Sequence, residues 1–228
     1  HIEKTQLVKF SVDLTDGRVP IIAGAGANST SEAVCLAKDM EDAGADGLLI
    51  VTPYYNKCTD SGLIAHYETI ADKVSIPIIM YSVASRTGVN ISPRVVKILS
   101  DHPNITGIKE ASGNISQICE IAACVSDTFS LYSGNDDQTV PVLSLGGLGC
   151  ISTVSNIIPA RFSAMIHQYL NGQCKAAGKE QVALKPLIDA IFMEVNPVPV
   201  KAALSMMGMC SAEYRLPMCP PTNKTQYL

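Results

Sequence analysis

One lysine stands inside an apolar, β-branched run: Lys109 in Asn104-Ile-Thr-Gly-Ile-Lys-Glu-Ala111. Lysine is seldom buried unless it is paired, neutral or reacting. A neutral amine in an apolar site can attack a carbonyl and form a Schiff base. Free lysine titrates near ~10.4, so only about one amine in a few thousand is neutral at pH 7, and desolvation lowers that pKa. The competing reading is a strand-end lysine that snorkels to water or pairs with a carboxylate. Lys201, after Asn196-Pro-Val-Pro-Val200, is a rival amine. It opens a tail helix beyond the last strand, where a structural or surface role fits better.

The polar residues near Lys109 in the pattern fall at the ends of other apolar runs. These ends are Ala23-Gly-Ala-Gly-Ala-Asn28, Thr52-Pro-Tyr-Tyr-Asn56, Tyr81-Ser-Val-Ala-Ser-Arg-Thr-Gly88, Ser133-Gly-Asn-Asp-Asp137 and Ile151-Ser-Thr-Val-Ser-Asn156. Lysine, tyrosine and arginine (Lys109, Tyr81, Arg86) would then converge on one rim from adjacent strands. Taken singly, Tyr81 could be a core tyrosine, Arg86 a solvated loop charge, and Tyr54-Tyr55 loop packing or an interface anchor. Metal chemistry finds little support. The four histidines are isolated in sequence, and Asp136-Asp137 more simply begins a helix, where carboxylates suit the dipole. Leu145-Gly-Gly-Leu-Gly149 precedes its strand and is read as a turn. Gly24-Ala-Gly-Ala lacks the glycine spacing of a dinucleotide fingerprint.

The elements that must carry these residues repeat one unit: apolar run, polar loop, helical pattern. Strands are expected at 19–24, 47–52, 76–82, 105–110, 129–133 and 149–153. Helices are expected at 31–43, 61–73, 93–100, 115–125, 137–145 and 159–170, with further helices at 175–193 and 201–209. Residues 1–14 read as a helix before the first strand. Alternating β and α at this spacing means a parallel sheet with helical crossovers. The expected fold is a (β/α)8 TIM barrel of which six βα units are present. Residues 1–170 would form a partial barrel (strands 3 to 8) and 171–228 a C-terminal helical region. A doubly wound sheet is the alternative. In such barrels the chemistry lies at the C-terminal ends of the strands.

With 228 residues, 47% of them hydrophobic, the chain can bury a sizeable core. Net charge is −4 and no basic run is seen, which argues against a nucleic-acid partner. The apolar runs are too short to span a bilayer, so no membrane role is expected. Eight cysteines fall below disulfide-scaffold density, and Cys35, Cys119 and Cys150 read as small core residues. With no visible secretion signal, a cytoplasmic location is expected.

These motifs resemble the dihydrodipicolinate synthase family of class I, Schiff-base aldolases, over nearly the whole chain. The resemblance rests on Val51-Thr-Pro-Tyr-Tyr-Asn56, Tyr81 with Ser85-Arg-Thr-Gly88, Gly107-Ile-Lys-Glu-Ala-Ser-Gly113 and Asn196-Pro-Val-Pro-Val-Lys201. It implies condensation of pyruvate with aspartate semialdehyde to 4-hydroxy-tetrahydrodipicolinate, in diaminopimelate and lysine biosynthesis. No cofactor is implied beyond the covalent lysine–pyruvate imine, and no metal. By resemblance, Lys109 forms the imine, Tyr81 passes protons, and Arg86 holds the carboxylate of the second substrate. Tyr55 extends the relay into a neighbouring subunit, which implies a homo-oligomer, a dimer of dimers. Gly134 and Ile151 line the site, with the Ile151 carbonyl near the imine. Tyr54, Asn28, Glu32 and His1 match a lysine-effector pocket. Lys4 would repel a lysine ammonium there, so feedback is expected to be weak or absent.

The family's Gly-Thr-Thr-Gly-Glu segment lies upstream of the position matching His1. An N-terminally truncated piece of low stability and activity is therefore expected. Ser82 and Ala84 replace the commoner Asn and Pro, and Asn135 stands where Asp is common. Two other readings remain open at this level: another class I pyruvate aldolase (a sugar-acid or hydroxy-oxo-acid lyase), and a non-catalytic relative.

Overall fold

The computed structural model describes residues 1–222, which fall into two compact units. The first comprises His1–Gly134 with Leu145–Leu148. It opens with helix α1 (Ile2–Thr15) and then alternates strand and helix. The elements are β1 (Ile22–Gly24), α2 (Thr30–Asp42), β2 (Gly47–Val51), α3 (Asp60–Ala71), β3 (Ile78–Ser82) and a helical turn α4 (Ala84–Thr87). They continue with α5 (Pro93–Leu99), β4 (Ile105–Glu110), α6 (Ile115–Ala122) and β5 (Ser130–Ser133).

Local chemistry sets these boundaries. Thr59, Ser92 and Asn114 cap α3, α5 and α6 by accepting backbone N–H bonds, and Pro93 takes the first-turn place where its missing donor costs nothing. The first strand starts at Ile22 rather than residue 19, because Pro20 offers no ladder donor and the Ile21 N–H donates to the Asp46 carboxylate at 2.7 Å. The stretch 84–87, read as loop from sequence, winds into one turn closed by Gly88 at φ +73°.

The five strands β1 to β5 are parallel and hydrogen-bond to one another in chain order. A doubly wound sheet would reverse that order at a switch point, so the alternative topology is excluded. Ile50, Met80, Ile108 and Leu131 are fully buried and share one face, with the helix residues Leu36, Met40, Leu63, Val95, Leu99, Ile118 and Ile121 in the same core. Tyr81, Lys109 and Tyr132 are register partners and share the other, inner face. Between β3 and β4 the register shifts by one residue: Ile78 pairs with Ile105, but Ile79 pairs with Gly107, so Thr106 is the extra residue of a bulge.

The second unit comprises Asn135–Ser144 and Gly149 onwards. It holds a 3-10 turn (Asp136–Gln138), α7 (Thr139–Ser144), β6 (Gly149–Cys150), a second turn (Val154–Asn156), α8 (Pro159–Leu170), α9 (Cys174–Ile191) and α10 (Val198–Met206). Its core is Val154, Phe162, Met165, Ala177, Leu184, Ile188 and Ile191. Buried Asp136 is its polar hub. Its carboxylate accepts from the Ser152 hydroxyl, from Thr153 N at 3.1 Å and from Val154 N at 3.3 Å, while its carbonyl accepts from Gln181 at 3.0 Å. Those amides serve a carboxylate rather than a ladder, which explains why β6 stops at Cys150 and not at residue 153. The last helix starts at Val198, earlier than 201, because a proline at its second position is tolerated in the first turn.

Two of the three cysteines expected in the core lie outside it: Cys35 and Cys119 are exposed, whereas half-buried Cys150 packs against the core of the second unit. On α6 the buried stripe is Ile118 and Ile121, and Cys119 lies one residue off it, on the solvent side.

Candidate active site

The inner face of the first unit brings an amine and a phenol together at the C-terminal ends of neighbouring strands. Lys109 on β4 and Tyr81 on β3 are direct register partners. Lys109 is 9% exposed, and its Nζ lies 4.1 Å from the centroid of the Tyr81 ring. The amine therefore sits over the ring face. Burial pushes the Tyr81 phenol up in pKa, and the nearby Arg86 charge partly offsets it.

Gly134 makes room for this amine. A Cβ there would lie 2.6 Å from the Ala111 Cβ, 3.1 Å from the Glu110 carbonyl oxygen and 3.2 Å from Lys109 Cε. Its N–H donates to the Glu110 carbonyl at 2.7 Å, which fixes the strand end against the lysine stem.

Arg86 is solvent-exposed in α4, within electrostatic reach of Tyr81. The inner side of its turn is held by hydroxyls: Thr52 Oγ1 donates to Thr87 Oγ1 at 2.9 Å, and Thr87 Oγ1 lies 3.0 Å from the Val89 carbonyl. Both threonines are buried. This pair has no signal in the sequence, because it joins residues 35 positions apart that only the packed sheet brings together.

Tyr55 is 87% exposed and has φ +74°, with Asn56 N donating to the Tyr54 carbonyl at 3.0 Å. That is a γ-turn with a bulky residue at its centre, a rare and strained arrangement. Tyr54 is 43% exposed, and Asn28 and Glu32 are exposed near the start of α2. His1 Nδ1 lies 2.8 Å from the Asp39 carboxylate on α2. Ile151 is half-buried in the second unit, one residue past β6. Lys201 lies in α10 with Nζ 5.5 Å from the Tyr214 ring centroid. Leu145–Leu148 forms a turn, with Gly146 at φ +92° and Leu148 N donating to the Leu131 carbonyl at 2.9 Å.

Glu110 was also missed. It follows Lys109 on the opposite face, fully buried, and accepts from Ser112 N at 2.9 Å, Ser112 Oγ at 3.0 Å and Gln117 Nε2 at 2.8 Å. Burial raises its carboxyl pKa, and these donors oppose the rise. Its signal was present in the sequence, as a second charge in a strand whose two faces are both covered.

Among the described residues no group of three or more His, Cys, Asp or Glu side chains is placed to hold a metal ion. None of their helices is long and apolar enough to cross a membrane.

The sequence profile of the dihydrodipicolinate synthetase family matches residues 1–227. A 4-hydroxy-tetrahydrodipicolinate synthase from Caldicellulosiruptor saccharolyticus is 52% identical over 224 residues, covering 98% of this chain and 76% of the relative. One from Thermoanaerobacter sp. is 49% identical, covering 99% and 77%. Among solved structures, the dihydrodipicolinate synthase of Thermotoga maritima superposes with TM-score 0.98 at 41% identity, over all of this chain and 78% of the other. The chloride-inhibited enzyme from Acinetobacter baumannii, complexed with pyruvate, gives TM-score 0.96 at 39% identity, over 99% and 77%. The TIM-barrel fold expected from the sequence is the fold of these structures, and this chain carries six of its βα units and a helical C-terminal portion. Likeness of this extent settles the kinship that the lysine motif suggested: the chain belongs to the dihydrodipicolinate synthetase family.

Proposed function

We propose that this protein is a lyase that condenses pyruvate with aspartate semialdehyde to 4-hydroxy-tetrahydrodipicolinate, a step in diaminopimelate and lysine biosynthesis, through an imine on Lys109. The observation that carries the reading is the buried Lys109 amine over the Tyr81 ring, on the inner face at the strand ends. Neutral Nζ attacks the C2 carbonyl of pyruvate, and loss of water gives the imine. Its nitrogen then draws electrons from C3, a C3 proton leaves, and the enamine carbon attacks the aldehyde. The Tyr81 phenol, kept protonated by burial, supplies the proton that the resulting alkoxide takes up. The substrate's own amine closes the ring at C2 and displaces Lys109, so the enzyme is regenerated without an external cofactor.

Arg86 binds the carboxylate of the aldehyde substrate, a bidentate contact that guanidinium geometry suits. A polyol sugar acid would not need that clamp, which favours this reading over a sugar-acid lyase. Gly134 lines the pyruvate side. Tyr55 serves a neighbouring copy in a homo-oligomer; a strained turn that holds an aromatic almost wholly in solvent is wasteful unless another chain covers it. Tyr54, Asn28, Glu32 and His1 form at most a weak lysine-effector site. His1 is engaged by Asp39, and the Lys4 ammonium stands on the same helix.

The test is covalent trapping. Pyruvate and borohydride should leave a reduced adduct on Lys109 alone, found by mass spectrometry of the digested protein. An adduct on Lys201 or another lysine would overturn the mechanism.

A further inference from the structure

The turn bearing Arg86 is tied down on its outer side as well as its inner one. The segment that leaves it returns to the end of β3: Ile91 N donates to Ser82 Oγ at 3.1 Å, and that hydroxyl donates to Asn90 Oδ1 at 3.4 Å. From Asn90 the bonds run outward as a reciprocal amide pair. Asn90 Nδ2 donates to Gln117 Oε1 at 2.8 Å, and Gln117 Nε2 donates back to Asn90 Oδ1 at 3.1 Å. The second N–H of Gln117 reaches buried Glu110 at 2.8 Å.

Glu110 is a costly choice for this position. Its neighbours on the same face, Ile108 and Leu131, are apolar and fully buried. A carboxylate there loses its hydration, and an apolar side chain of similar volume would pack without that penalty. What a carboxylate provides is direction. It accepts hydrogen bonds and donates none when ionised, so it orients the Gln117 amide, which in turn orients Asn90. The tie thus runs from the strand that carries the reactive amine, through α6, to the turn that carries the guanidinium.

We propose that Glu110, acting through Gln117 and Asn90, is a positioning residue that fixes the Arg86 turn relative to Lys109 and thereby sets affinity for the carboxylate of the second substrate. This rests on the role given to Arg86 above. Pyruvate capture needs only Lys109 and Tyr81, which this tie does not hold, so the two substrates should respond differently.

The test is steady-state kinetics on Asn90→Ala, Gln117→Leu and Glu110→Gln, with Arg86→Ala as the reference. Asn90 is exposed, so truncating it leaves the core intact, and thermal unfolding of each variant checks the fold. Asn90→Ala and Gln117→Leu should raise KM for aspartate semialdehyde roughly five-fold or more, in line with the sensitivity of rates to ångström-scale misplacement. KM for pyruvate and the rate of borohydride trapping should stay within about two-fold, the margin set by loss of less than one weak contact. Glu110→Gln, which can still accept from Gln117, should show a smaller effect than Gln117→Leu. If Arg86→Ala raises KM for the aldehyde acid but Asn90→Ala and Gln117→Leu do not, this inference falls and the Arg86 reading stands. A parallel rise for both substrates would also overturn it, since that is what a merely structural role would give. If Arg86→Ala leaves the aldehyde KM unchanged, both fall together.

Discussion

Replacing Gly134 with alanine tests the idea that close approach to the lysine stem, and not backbone freedom, fixes glycine at this position. Its φ lies outside the left-handed range, so alanine meets no backbone penalty and only the contacts change. The new methyl would stand 2.6 Å from the Ala111 Cβ. Carbon atoms pack at about 3.5–4.0 Å, so one of the two strand ends must move by roughly 1 Å. Neither neighbour can swing away, because one is a Cβ and the next, at 3.1 Å, is the Glu110 backbone oxygen. Overpacking of this kind costs about 1–3 kcal/mol. At about 2–4 °C per kcal/mol for a chain of this size, Tm should fall by roughly 2–12 °C. The displaced segment includes Lys109 Cε at 3.2 Å, and a shift near 1 Å can slow an aligned reaction by ~10²-fold. Thermal unfolding measures the first effect, and the rate of pyruvate-dependent borohydride trapping measures the second. Unchanged Tm together with an unchanged trapping rate would show that the site tolerates a side chain, and the account of Gly134 would be wrong.

Tyr81→Phe keeps the ring beneath the amine but removes its proton; kcat should drop about 10²–10⁴-fold, the usual span for a general acid–base group, and a loss under ten-fold would place the proton donor elsewhere. Burial holds the His66 imidazole below its ordinary 6.5, with Nδ1 2.9 Å from Thr30 Oγ1. A depressed folded pKa means that stability is present above the unfolded value and lost as pH falls below it, because the unfolded chain takes the proton first. Tm of the protein should therefore decline from about pH 6.5 downward more steeply than that of His66→Gln, and identical profiles would remove His66 from the account. Lysine should not reach half-maximal inhibition at sub-millimolar concentration, and a dose–response curve that does so would restore a working effector site.

The strand ends were legible because chemistry interrupts periodicity there. Lys109 breaks an apolar run, and its partner Tyr81 ends another, so their order along the chain implied one rim. Strand 105–110 and helix 159–170 matched the structure residue for residue, since each has sharp flanks. Other ends shifted where a side chain outbid the ladder, as Asp136 does for the amides of residues 153 and 154. The Glu110–Gln117–Asn90 tie and the Thr52–Thr87 pair were invisible, because each joins residues that only the packed sheet brings together. The cysteines misled for a simpler reason: a small, soft side chain reads as core, while helix phase alone decides which side it faces.

The single added residue at Thr106 decides which of two neighbours enters the mouth of the sheet. Strand side chains alternate in parity, so if Thr106 were paired in regular register, without the bulge, Lys109 would turn beneath the helices and Glu110 would face inward. A nucleophile would be exchanged for an anion by a slip of one residue, with no amino acid of the strand altered. The bulge acts as a reading frame for the chemistry.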